Sequence, residues 1–173
     1  FRDIIAELNQ KFNIDESRRY LVGFSNGGAM ALRCAMEMSD VFAAVVESAG
    51  STSIAATYIP KQDIPVTYQI GNKNKSDVPP LPMQSLDSLL NTPPFNHTIA
   101  THINSFNLES TYSISGDENE AVTASYKGVL DSKLEFNVML IKDLEHGYPN
   151  GTNHSMKGAE VNWEWFKQFS LPE

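Results

Sequence analysis

The chain has 173 residues, of which 41% are hydrophobic and 20% charged, a globular composition that supports one domain with a real core. Its net charge of −8 excludes the clustered surplus of Lys and Arg that a phosphate backbone demands, so nucleic acid is not an expected partner. No apolar run approaches the roughly 20 residues that span a bilayer, so insertion into a membrane is not expected either.

The chain opens on "FRDIIAELNQKF", where Phe1, Ile4, Ile5, Leu8 and Phe12 recur at helical spacing. With no initiator methionine and no signal pattern ahead of it, this start reads as a cut from a longer chain. "NIDESRRY" is a polar turn, and "YLVGF" is a short apolar run that reads as a buried parallel strand. "NGGAMALRCAMEM" follows with good helix formers and with small residues that allow close packing on the strand. Cys34, the single cysteine, falls within that helix as a small buried apolar residue. "FAAVVESAG" and "IPVTYQIG" read as the second and third strands, giving the alternating order of a parallel sheet.

Residues 72–94 are rich in Pro, Asn and Ser and read as a surface loop or lid, with a turn or two of helix at "MQSLDSLL". "FNHTIATHINSFNL" regains helical spacing through Phe95, Ile99, Ile103 and Phe106. "TYSISGDENEAVTASY" alternates on both sides of an acidic turn and predicts a hairpin. That turn lacks the ordered spacing of a calcium loop and reads as a solvated tip. "LEFNVMLI" is the last strand, "KDLEHGYPNGTNHS" a loop, and "KGAEVNWEWFKQF" a closing helix with Val161, Trp165, Phe166 and Phe169 on its apolar face. No repeat or composition shift divides the chain, so it reads as one domain over 1–173.

Ser25 lies in Gly-x-Ser-x-Gly between a predicted strand and a predicted helix. A serine hydroxyl needs a base to take its proton, and that base must itself be oriented. A nucleophile elbow requires strand, sharp turn and helix in that order, and "YLVGF", "SNGG" and "AMALRCAMEM" supply them. The N–H of Asn26, the next residue, is the expected oxyanion donor, aided by the positive end of the helix. The base in this architecture follows the last strand. His146 sits there, His154 shares the loop as its rival, and His97 and His102 fall on a predicted helix as packing or surface residues.

The stretch "NIDESRRYLVGFSNGGAMALRCAMEMSDVFAAVVESAGS" strongly resembles the region around the nucleophile in the α/β-hydrolases grouped as polyhydroxybutyrate depolymerases and feruloyl or acetylxylan esterases. "LIKDLEHGYPNG" resembles their histidine loop, with Tyr148, Pro149 and Gly151 in the places that follow the histidine, and "AEVNWEWFKQF" resembles their closing helix. The resemblance implies an α/β-hydrolase fold, a mostly parallel sheet with flanking helices, lacking here its N-terminal strands and the glycine-rich loop that gives a second oxyanion donor. It also implies an acid in a Gly-x-x-Asp segment after the third strand. This sequence reads "GNKNKSDVPP", with Asn74 at that place and Asp77 three residues on. Charge favours Asp77, because a carboxylate stabilises an imidazolium better than an amide does.

The expected activity is hydrolysis of carboxylic esters, plant-wall feruloyl or acetyl esters or polyester-type esters, through an acyl-serine intermediate on Ser25, His146 and Asp77. No cofactor or metal is required. A serine peptidase of the same fold and a catalytically impaired binding protein are the alternatives. By resemblance the protein works outside the cell or in the periplasm. Asn74, Asn96, Asn150 and Asn153 begin glycosylation acceptor triplets, relevant only under secretion by a glycosylating cell. An exposed edge on the "YLVGF" strand predicts a homodimer.

Overall fold

The computed structural model describes residues 1–50, 59–74, 80–91, 93, 95–131 and 133–172. Helix α1 (Arg2–Lys11) leads through a 3-10 turn at Glu16–Arg18 into β1 (Tyr20–Phe24), α2 (Asn26–Glu37), β2 (Ala44–Ser48) and β3 (Val66–Gly71). A 3-10 turn at Met83–Ser85 runs into α3 (Leu86–Leu90), followed by α4 (Phe95–Ser105), the hairpin β4 (Leu108–Asp117) and β5 (Ala121–Gly128), then β6 (Glu135–Ile141) and α5 (Gly158–Phe166).

Among the described residues the strands form one sheet in the order β1-β2-β3-β6-β5-β4. The pairings β1–β2, β2–β3 and β3–β6 are parallel, and the hairpin continues the sheet antiparallel through β6–β5 and β5–β4. The predicted α/β class with a mostly parallel sheet therefore holds. Parallel neighbours need covering on both faces, which is why β2 and β3 are buried at every position.

The larger core lies on the face shared by Val45, Val66, Tyr68, Phe136 and Val138, under Leu32 and Met36 of α2 and beside Phe106. The opposite face is smaller: Ala44 and Val46 meet Phe166 of α5, with Tyr20, Trp165 and Phe169 alongside. Tyr20 stacks on Phe166 with centroids 4.9 Å apart. Every strand that carries a candidate site residue thus ends at the same rim of a sheet held from both sides.

Four expectations need correction. The strand β1, expected to be buried, has no buried residue, because among the described residues it is the end strand of the sheet. The described part of the middle segment is not merely a surface loop, because Met83, Leu86 and Leu90 are buried in the main core. In α5 the buried positions are Gly158, Asn162 and Phe166, one face at four-residue spacing, whereas Val161 is exposed. That face is fixed by Phe166 against Ala44 and Val46, by Gly158, where a Cβ would lie 2.7 Å from Pro149 O, and by Asn162 Nδ2, which donates to the Tyr148 hydroxyl at 2.8 Å. In α1 only Ile5 of the predicted apolar face packs against the core, while Ile4, Leu8 and Phe12 are exposed. At the hairpin tip, Asp117 Oδ1 accepts from the Asn119 N–H at 2.8 Å, so this carboxylate closes its own turn.

Candidate active site

Ser25 joins β1 directly to α2 with φ 55° and ψ −119°, left-handed backbone that a non-glycine residue holds only when its surroundings enforce it. Two interactions do so. The Ser25 N–H donates to Ser48 O of the neighbouring strand at 2.8 Å, and Ser25 O accepts from the Ala29 N–H at 3.1 Å in the first turn of α2. The flanking glycines permit the sharp turn. A Cβ on Gly23 would lie 2.0 Å from Gly27 O, and one on Gly28 would lie 2.7 Å from Ser48 O. Any side chain at either place would push α2 away from the sheet.

His146 follows β6 on an exposed loop. Its Nε2 lies 2.9 Å from Ser25 Oγ, and its Nδ1 lies 2.8 Å from Asn74 Oδ1. An amide oxygen only accepts, so Nδ1 carries the proton and donates to Asn74, which leaves the Nε2 lone pair facing the Ser25 hydroxyl. That tautomer can take a proton from the serine. Asn26 is the first residue of α2, so its N–H has no carbonyl four residues back to satisfy it.

The structure thus brings together Ser25, His146 and the start of α2. It sets Asn74 Oδ1 against His146 Nδ1; Asp77, the acid favoured on charge, lies outside the described residues. The geometric reason is that Asn74 stays within one turn of β3, with its N–H donating to Gly71 O at 3.1 Å. The rival His154 is engaged elsewhere, its Nδ1 accepting from the Met156 N–H at 3.0 Å. His97 is exposed on α4. His102 is fully buried, stacked on Phe136 with centroids 3.9 Å apart, and its burial lowers its pKa to about 4. Cys34 is buried as expected, and burial pushes its thiol pKa up.

The sequence reading missed the residue that ties the two site loops together. Asn72 is buried at the end of β3. Its Oδ1 accepts from the Asp143 N–H at 2.7 Å, and its Nδ2 donates to Leu81 O at 3.1 Å. Beside it the Lys73 N–H donates to Leu144 O at 3.1 Å, and Lys73 Nζ pairs with Asp143 Oδ1 at 2.7 Å. Gly71 completes the seam, since a Cβ there would lie 2.0 Å from Leu144 O. The loop carrying Asn74 and the loop carrying His146 are therefore one stitched unit. No sequence motif announces this, because the partners are some 70 positions apart.

Residues 1–95 match the model of the prolyl oligopeptidase family, more than half of the 173 residues. The chain belongs to the prolyl oligopeptidase family. The matched span holds β1, the elbow, α2, β2, β3 and Asn74, while His146 comes after it. Over 93 residues this member of the prolyl oligopeptidase family is 36% identical to the Nocardia uniformis subsp. tsuyamanensis protein named "Putative esterase NocK", covering 53% of this chain and 25% of that protein. The crystal structure of a thermostable esterase aligns with 98% of this chain and 35% of its own, at 19% identity and a TM-score of 0.47. The chain thus spans about a quarter of the curated relative and about a third of the solved one.

Proposed function

We propose that the protein is a serine carboxylic-ester hydrolase in which Ser25 is the nucleophile, His146 the proton shuttle and Asn74 the residue that orients His146. The supporting observation is the unbroken relay from Ser25 Oγ through His146 to Asn74 Oδ1, at 2.9 and 2.8 Å. Ser25 Oγ attacks the ester carbonyl while its proton passes to Nε2. The Asn26 N–H and the α2 terminus then stabilise the developing oxyanion. Collapse of the tetrahedral intermediate breaks the bond to the alcohol, which leaves with the proton from Nε2. Water, deprotonated by the same nitrogen, adds to the acyl-serine and releases the carboxylic acid and Ser25.

The resemblance to feruloyl, acetylxylan and polyester-cleaving enzymes supports plant-wall or polyester-type esters as substrates, met outside the cytoplasm. The family match favours a second reading, cleavage of peptide bonds. A neutral Asn74 weighs against that reading, since an amine leaves only if the imidazolium delivers its proton, whereas an alkoxide is a better leaving group. Hydrolysis of acetyl, feruloyl and hydroxybutyrate esters beside matched peptide amides tests both. Turnover confined to esters supports the proposal, and preferential amide cleavage replaces it with the peptidase. The outer edge of β1, unpaired among the described residues, is the proposed contact between two copies, tested by the concentration dependence of sedimentation.

A further inference from the structure

Among the described residues, the relay leaves one electrostatic demand unmet. In the transition state His146 becomes an imidazolium, and its two hydrogen-bond partners, Asn74 Oδ1 and Ser25 Oγ, belong to side chains that are neutral as drawn in the resting site. Among the described residues, the charged groups beside the relay on the same loops are Lys73 and Asp143, paired with one another at 2.7 Å, Lys142, which donates to Asn119 Oδ1 at 3.5 Å, and the exposed Glu145. Neither cation nor anion of that pair is left over to balance a new positive charge.

Phe24 lies immediately before the nucleophile. Alternation along β1 puts its side chain on the face of Tyr20, the face that packs against α5. The histidine loop leads into α5 on that same side. The rings of Phe24 and His146 meet with centroids 4.9 Å apart and planes inclined at 41°. That separation lies inside the roughly 6 Å within which an aromatic face attracts a cation.

We infer that Phe24 is a positioning residue that holds the His146 ring and stabilises its protonated form, supplying part of what a carboxylate would supply at Asn74. The inference rests on the proposed role of His146. A ring that served only to shield the imidazole from water would have the opposite effect, because removing hydration disfavours the charged form.

The sign of a titration separates the two roles. The His146 Cε1–H resonance is followed by NMR against pH in the substrate-free protein and its Phe24→Leu and Phe24→Trp variants, with His146→Gln providing the assignment. Phe24→Leu is expected to lower the titration midpoint by roughly half a pH unit, the equivalent of a weak exposed cation–π contact. Phe24→Trp, with the stronger ring, is expected to raise it. The same contact predicts a two- to fivefold loss of kcat in Phe24→Leu at nearly unchanged KM. A midpoint that stays fixed or rises in Phe24→Leu overturns the inference. The titration needs no turnover, so failure of ester hydrolysis in the unmodified protein would remove the proposed function and still leave the Phe24 contact measured on its own.

Discussion

Replacing Asn74 by Asp puts a carboxylate where the structure has an amide, 2.8 Å from His146 Nδ1. The variant changes one atom of the side chain and keeps the acceptor oxygen. In the transition state, positive charge on the imidazole and negative charge on the carboxylate would be about 4 Å apart. Their attraction is about 1 kcal/mol at the dielectric of water and about 4 kcal/mol at an effective dielectric near 20. Ser25 and Asn74 are half-buried and His146 is exposed, so the gain falls between those limits. It corresponds to a rise in kcat of about fivefold to several hundredfold. The assay is steady-state hydrolysis of a short-chain aryl ester by the unmodified protein and by Asn74→Asp, with Asp77→Ala run beside them. The account predicts acceleration by Asn74→Asp and little change in Asp77→Ala. A collapse in Asp77→Ala with no gain in Asn74→Asp would refute it, since the working acid would then be Asp77.

Asn72→Ala removes both bonds of the buried amide that joins the site loops, the one to Asp143 at 2.7 Å and the one to Leu81 at 3.1 Å. We expect a loss of about 2 to 4 kcal/mol of stability and at least a tenfold fall in kcat, read by urea unfolding and ester turnover; an unchanged kcat would mean that Asn74 and His146 are held by other contacts. Glu47, fully buried on β2 with no partner for either oxygen among the described residues, has its pKa pushed up by burial to about 8 from 4.5. From about pH 4.5 to 8 the folded protein keeps a proton that the unfolded chain has released, so this group makes stability fall as pH rises. Glu47→Gln should therefore gain on the unmodified protein progressively between pH 5 and 8 and hold that gain at pH 9. Urea unfolding at these three pH values checks it, and a difference independent of pH would refute the neutral buried acid.

The fold was legible where local pattern and tertiary role agree. "YLVGF" is apolar, bounded by a polar turn and glycines, and becomes β1 with the same five residues, although none of them is buried. Ser25 and His146 were readable because the elbow is a local motif and because chain order puts the base after the last strand. Asn74 and Asp77 could not be separated by the sequence, since which of them reaches Nδ1 depends on how the loop after β3 is sewn to the loop after β6. The exposed side of α5 was misread for a similar reason. Val161 fits an apolar face, but the tertiary partners of Gly158, Asn162 and Phe166 turn a different side of the helix inward. Glu47 is the clearest local contradiction: a carboxylate in a strand buried at all five positions has no sequence signature that distinguishes it from a half-exposed one.

The central claim is that Ser25 is a nucleophile activated by His146, and a fluorophosphonate probe reads that property without assuming a substrate. Intact mass and peptide mapping follow labelling of the unmodified protein, Ser25→Ala, His146→Ala and His154→Ala. The account predicts one adduct per chain on Ser25, none in Ser25→Ala, labelling slowed by orders of magnitude in His146→Ala, and an unchanged rate in His154→Ala. No adduct in the folded unmodified protein, or an adduct that persists at full rate in Ser25→Ala or His146→Ala, would contradict it.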